Sequence, residues 1–236
     1  MRQTIKVFSI GMRAVRRDAI MLVLIPAPFF IGALFRILAP LLDGLLVRQF
    51  AFSLQPWYPF VDALTAALAP LMPTVSSGFL LLEEWDEHIG SYYNITPAGR
   101  FHYLAARVGL PALWGFVCCV VTLLLFGLSA MVLPTVLALS LVAALAGAAS
   151  AMLIVSLAAN RVEGLAVSKL SGIALLGLPV AYFVPDAWRW SCAILPSFWL
   201  GELALGKPPL LPLAWGLAAS LLWIAFFTKR FLRKIE

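Results

Sequence analysis

Six windows of apolar residues, at about 19–42, 58–82, 108–131, 135–159, 166–184 and 208–228, run through this chain and constrain what it can become. A bilayer core about 30 Å thick is crossed by roughly 20 apolar residues in a helix. Inside that core a backbone must satisfy its own hydrogen bonds, which a helix does within one segment. What lies between the windows is too poor in charge to cover a water-facing surface. Of the 236 residues, 63% are hydrophobic and 12% charged, against about 45–50% and 25% in soluble domains. The pattern predicts an all-α integral membrane protein with six transmembrane helices. The fifth window is the weakest, being short, with Lys169 near its start and Pro179 near its end. No repeat, low-complexity tract or long linker divides the chain, so 1–236 reads as a single transmembrane domain.

Orientation follows from the basic residues, because positively charged loops resist translocation. Arg2, Lys6, Arg13, Arg16 and Arg17 precede the first window; Arg100, Arg107, Arg161 and Lys169 fall on the same side, with Lys229, Arg230, Arg233 and Lys234 after the last. The opposite side keeps Arg48, Arg189 and Lys207, and Arg36 lies within the first window. Both termini are therefore expected in the cytoplasm. The same distribution disposes of nucleic acid as a partner: the net charge of +6 is spread along span edges as a topology signal and does not form a phosphate-binding patch. The first window is too long for a signal peptide and lacks a small-residue cleavage site.

Residues 2–18 place Ile5, Phe8, Met12 and Val15 at helical steps and Lys6, Arg13 and Arg17 on the opposite side. That is the pattern of an interfacial amphipathic helix whose basic face meets anionic lipid; a helix packed on another protein is the other reading. On the outer side, 185–207 combines Trp188, Trp190, Phe198 and Trp199 with Pro185 and Pro196. Aromatic rings of this kind favour the headgroup layer, so the segment is expected to dip back as a re-entrant hairpin between helices 5 and 6. Cys118, Cys119 and Cys192 sit in apolar surroundings without metal-ligand or disulfide spacing and read as small hydrophobes.

The most informative stretch follows the second window. Glu83, Glu84, Asp86 and Glu87 place four acids in five residues at the cytoplasmic mouth of a span. Two readings stand: a solvated loop end, or a docking surface for a partner with basic residues. Further on, Thr96-Pro97 is a helix-start signal, a hydroxyl that caps free backbone donors followed by a proline tolerated in the first turn. A helix is expected from there through Arg100 and Arg107 into the third span.

These residues resemble the membrane subunits, or permeases, of ABC transporters of the type-two exporter class. In that family the second span is followed by an acidic element, Glu-(Arg or Lys)-x-x-Gly-Thr, and then by Thr-Pro and a basic helix. Here Glu87-His88-Ile89-Gly90-Ser91 takes the first place and Thr96-Pro97 the second, with His88 and Ser91 as departures. The loop 160–169, with Asn160, Arg161, Glu163 and Lys169, is similar to the family's connection between spans four and five. Leu178-Pro179, Pro185 and Leu195-Pro196-Ser197-Phe198-Trp199 resemble its fifth span and hairpin.

The resemblance implies a homodimer or heterodimer of permease subunits in a prokaryotic inner (cytoplasmic) membrane, driven by separate cytoplasmic ABC ATPase subunits that bind ATP and Mg. No cofactor is expected on this chain. The region 83–107 would be the main coupling element, and Asn160 to Lys169 a second contact. The transported compound would be hydrophobic or amphipathic: a drug, a peptide or a lipid.

The chain offers no ATPase of its own. Gly201 to Lys207 spells the start of a phosphate-binding loop, but Pro208 stands where a magnesium-binding hydroxyl is required, and the stretch lies on the outer side. His88 and His102 lack metal-ligand spacing, and neither lies at membrane depth where a nucleophile would need a base. A membrane-embedded lipid-modifying enzyme, or a substrate-binding component or scaffold without an ATPase, are the alternative functions. Arg36, Asp43 and Asp62 are candidates for a substrate path, since ions near hydrocarbon are expensive unless paired; snorkelling and interfacial anchoring are the other reading. Ala143, Gly147 and Ala151 recur every four residues, allowing close helix approach within one subunit or at a dimer seam.

Overall fold

A computed structural model describes residues 23, 26–87, 103–206 and 208–234. Among them, six helical stretches are long and apolar enough to cross a membrane. The expected interfacial helix at 2–18 lies outside the described residues.

The first span, α1 (Ala27–Phe50), starts on Pro26 with Pro28 in its first turn, where a missing N–H does no harm. It runs eight residues past the expected end at 42, carrying Asp43 and Arg48 in its last two turns. It ends on Ala51, whose φ of 53° is left-handed and whose N–H bonds to Val47 O at 3.2 Å. A short 3₁₀ turn, Gln55–Trp57, leads into α2 (Tyr58–Asp86).

Two prolines lie inside α2, Pro70 and Pro73. A proline frees the carbonyl four residues earlier, which in hydrocarbon must find another donor. Ala66 O, freed by Pro70, receives the Cys119 thiol at 3.5 Å, which gives that buried cysteine a polar task besides its packing. The Thr74 hydroxyl donates to Pro70 O at 2.8 Å.

The third span is entered through a π-helical turn, Ala105–Gly109, and continues as α3 (Leu110–Phe126). It begins three residues before the expected start and ends five before the expected end, since Gly127 leaves the helix and 127–132 is a turn. The fourth span, α4 (Leu133–Leu157), matches its window closely.

The fifth span departs furthest from expectation. Residues 160–169, read as a loop, form a helix, α5 (Arg161–Leu170). Asn160 is its N-cap: the side-chain oxygen accepts the Glu163 N–H at 2.9 Å, and the Glu163 carboxylate reaches back to the Ala159 N–H at 2.7 Å. This reciprocal capping starts a helix even where the residues that follow are polar. The path then narrows to a 3₁₀ stretch, Ser171–Leu175, and resumes as α6 (Gly177–Phe183).

The outer segment folds as α7 (Asp186–Arg189), a 3₁₀ turn at Trp190–Cys192, and α8 (Pro196–Ala204). The chain then enters α9 (Leu210–Lys234), the last span. Contacts along α9 place the hairpin: Trp199 lies against Gly216, and the Trp223 indole donates to Ile194 O at 3.0 Å. Position 223 is thirteen residues into α9, roughly 20 Å along it. The tip at 194–195 thus sits well inside a core about 30 Å thick, and the hairpin is re-entrant. It descends to the level of Ala174, whose carbonyl takes the Ser197 hydroxyl, and α8 climbs back alongside α6.

Helices α2 and α4 form the centre, 72% and 78% buried over their apolar windows, whereas α1 and α9 are each only 17% buried. Small residues set the close approach. A Cβ on Gly115 would stand 2.7 Å from Pro70 Cβ, and one on Gly147 2.9 Å from the Thr74 hydroxyl, while Gly78 faces Ala151. The Ala143, Gly147, Ala151 stripe is therefore packed inside one chain, with Gly147 and Ala151 against α2.

Candidate coupling site at the basic ends of the spans

The last turns of α2 carry the acids that the sequence singled out, and the fold distributes them among different partners. Glu84 points inward and is buried. The Arg107 fork donates to both its oxygens, Nε to Oε2 at 2.9 Å and Nη2 to Oε1. The Tyr103 hydroxyl donates to Oε2 at 2.8 Å, and the Arg107 guanidinium lies 6.0 Å from the centre of the Tyr103 ring. The Ser77 hydroxyl, two turns earlier on α2, donates to the Arg107 carbonyl. That bond supports the backbone at the π-helical turn, where the ordinary helical bonding register is broken.

Arginine suits this place because its planar fork matches a carboxylate with two parallel bonds. Burial makes the pair sensitive to loss of either member: the desolvation already incurred would then have no compensating attraction.

Glu83 and Asp86 face the other way, toward α5. The Arg161 guanidinium meets the Glu83 carboxylate at 3.2 Å, each side chain about one third exposed, and the Arg161 N–H donates to Asp86 at 3.1 Å. Gly164 lets α5 lie on α2, since a Cβ there would stand 2.5 Å from Leu82 Cδ1. Glu87 is exposed and ends α2. Lys169 is exposed in the last turn of α5, where it complements the helix dipole away from the cluster. Gly90, Thr96, Pro97 and Arg100 lie outside the described residues.

The basic end thus ties three spans together: α2 to the entry of α3 by a buried network, and α2 to α5 by a half-exposed one. Of the two sequence readings of the acids, neither describes Glu84, which serves an internal pair. Tyr103 and Ser77 were missed. Their spacing carried a signal, since Tyr103 is four residues before Arg107 and Ser77 seven before Glu84, each on the same helical face as its neighbour.

At the outer ends, the three candidates for a substrate path each fasten a turn. Asp43 accepts the Leu54 N–H at 2.6 Å and the Ser53 hydroxyl at 3.1 Å, closing the link from α1 to α2. Asp62 accepts the N–H groups of Leu128 and Ser129, both at 2.8 Å, and the Ser129 hydroxyl. Arg36 donates to Gly127 O at 2.6 Å. Arg36 and Asp62 therefore hold the same turn between α3 and α4 from two sides.

The re-entrant hairpin contains a second buried ion pair that sequence reasoning did not identify, Arg189 with Glu202. The guanidinium lies 5.8 Å from the Trp190 ring centre and 5.9 Å from that of Phe198. Gly201 and Glu202 belong to α8 and are buried, so the first four residues of the stretch that spells part of a phosphate-binding loop, 201–204, lie in a packed helix.

Comparison with known proteins agrees with this architecture. A family model described as Fluoroquinolones export permease protein Rv2686c-like matches residues 11–228. Two relatives from Mycobacterium tuberculosis, Fluoroquinolones export permease protein MT2760 of strain CDC 1551 / Oshkosh and Fluoroquinolones export permease protein Rv2686c of strain ATCC 25618 / H37Rv, are each 26% identical over 195 residues. Each match covers 80% of this chain and 77% of the relative. A multi-pass, all-helical permease matched over nearly its whole length is a transporter membrane subunit, and the chain belongs to the Rv2686c-like fluoroquinolone export permease family.

Proposed function

We propose that this chain is the membrane-spanning subunit of an ATP-driven ABC exporter, paired with a second permease subunit in an inner membrane and powered by separate cytoplasmic ATPase subunits that hold ATP and Mg. The observation that carries the reading is the cross-tie at the basic end, where Glu84–Arg107 and Glu83/Asp86–Arg161 join three spans. The chain between Glu87 and Tyr103, with Gly90, Thr96, Pro97 and Arg100, connects directly to both halves of the buried pair. A displacement of that segment by a closing ATPase pair is delivered to α2 and α3 through a rigid pair, and to α5 through Arg161. Packed helices with discrete arrangements then convert a small shift at one end into a change of access at the other. In this reading Glu87, exposed at the end of α2, and Lys169 face the partner, while Glu84 and Arg107 transmit.

The names of the relatives point to fluoroquinolones as the substrate class. Such compounds, planar and aromatic with a few polar groups, fit a pathway walled mostly by apolar side chains.

The test uses inside-out vesicles containing the tagged chain with its co-purifying ATPase. ATP-dependent accumulation of a fluoroquinolone, lost with Arg161→Gln/Glu83→Gln while the complex stays assembled, is the expected result. A chain that crosslinks to no ATPase in its native membrane and moves no fluoroquinolone on ATP addition would overturn the reading in favour of a scaffold.

A further inference from the structure

A groove of about 550 Å³ opens sideways between α3 and α9 and is floored by α4. Ala144 and Ala148 form its floor, Val108 and Ala112 one wall, Ile224 and Thr228 the other. Along the α3 side it reaches from Leu104 to Phe116, twelve residues and roughly 18 Å. That length lies in the half of the bilayer toward the basic ends and matches the depth of one leaflet's hydrocarbon, about half of 30 Å.

The α9 wall does not stop at the hydrocarbon. Ile224 and Thr228 also line a second concavity that continues to Lys229, Leu232 and Arg233. Lys229 and Arg233 are one helical turn apart, both exposed, and neither is ion-paired among the described residues. An apolar slot one leaflet deep thus ends in two exposed cations at headgroup level that no described carboxylate pairs.

We propose that this groove is a resident binding site for an anionic glycerophospholipid of the inner leaflet, an acyl chain lying over Ala144 and Ala148 and the phosphate between Lys229 and Arg233. Basic pockets between helices at the cytoplasmic face recognise such headgroups, and the positive pair supplies the selectivity that an apolar slot lacks. A second copy of the chain fits less well: a two-fold contact on this face brings another Lys229 and Arg233 toward the same mouth, and like charges repel. The site is independent of the transport reading, since it requires no ATPase and no drug.

The test takes the purified full-length chain in mild detergent at low ionic strength. Retention of dioleoyl-phosphatidylglycerol is compared by native mass spectrometry with that of dioleoyl-phosphatidylcholine, which has the same acyl chains. The unaltered chain retains the anionic lipid preferentially. Lys229→Gln/Arg233→Gln weakens its binding about tenfold or more, toward that of the zwitterionic lipid. Arg230→Gln, a neighbouring charge that does not line the concavity, leaves binding unchanged, and Thr228→Trp, which fills the slot, lowers retention of both lipids. Because Lys229 and Arg233 are exposed and make no ion pair among the described residues, their double variant is expected to fold. Equal retention of the two lipids, or anionic-lipid binding unaffected by the double variant, overturns the proposal. So does Thr228→Trp breaking a dimer while lipid retention stays the same, which would assign the groove to a subunit seam.

Discussion

Among the described residues, two buried ion pairs do different work. Glu84–Arg107 joins residues 23 apart in sequence across two spans, gathers Tyr103 and Ser77 into one network and borders the Glu83–Arg161 contact to a third span. Arg189–Glu202 joins residues thirteen apart within one hairpin, under the rings of Trp190 and Phe198. The first has the connectivity of a transmitting element, because moving either partner moves a different helix. The second has that of a clasp, because both partners belong to the same folded unit. Burial alone does not separate them; what each pair connects does.

The largest expected effect is at the first pair. Glu84→Ala leaves the Arg107 guanidinium buried without its carboxylate and is expected to destabilise the protein by about 3–5 kcal/mol, read as loss of monodisperse material in detergent and a lowered melting temperature. Glu84→Leu combined with Arg107→Met removes both charges and recovers much of the stability. Transport stays lost in the double variant, since the rigid link between α2 and α3 is gone. Recovered transport would make this pair a clasp like the other.

Glu202→Ala is expected to destabilise by a similar mechanism and a smaller amount, roughly 2–4 kcal/mol, because among the described residues two rings lie beside Arg189 and one beside Arg107, offering Arg189 more partial compensation. The contrast is in the double variant: Glu202→Leu with Arg189→Met restores both stability and transport if the pair only shapes the hairpin. A stable but inactive double variant would give the hairpin a part in gating and erase the distinction.

The next effect tests the shared scaffold. Gly147→Val puts a side chain where Thr74 and Pro70 already stand, and overpacking of this kind costs about 1–3 kcal/mol. It should lower the melting temperature and weaken both regions together, since α2 and α4 carry the whole assembly. A loss confined to one end would show that the two ends pack independently.

How much of this was legible beforehand depended on the length scale of the signal. Window lengths and the placement of Lys and Arg located six spans, because hydrocarbon thickness and translocation act on every residue of a span. The acids of 83–87 stood out because charge is rare here. Their division into Glu84 inward and Glu83 and Asp86 toward α5 depends on a rotation of a few tens of degrees along α2, which the alternation of apolar residues near its end does not fix. The helix at 161–170 was hidden by its polarity, although Asn160 and Glu163 already held the spacing of a reciprocal cap. Arg189 and Glu202 were invisible as a pair because their meeting depends on how the hairpin turns back, and each alone passed for a topology charge or part of a false motif. Arg36, Asp43 and Asp62 were found as unusual ions, but what they bind, backbone donors and acceptors of turns, is set by tertiary contact.

The smallest effect on stability is expected at Arg161, and there the comparison is sharpest. Its pair with Glu83 is about one third exposed, and exposed or half-exposed pairs contribute about 0–1 kcal/mol. Arg161→Gln keeps a side chain of similar reach and leaves the backbone N–H to Asp86 in place, so the melting temperature should hardly move. If the basic end transmits motion from a partner, the same variant should still slow transport severalfold, because α5 is tied to α2 at this end by side-chain charge as well as by the close packing at Gly164. Stability and transport would then separate at Arg161 and fall together at Glu84. Arg161→Gln with normal transport would confine transmission to the buried network and leave α5 a passive neighbour of α2.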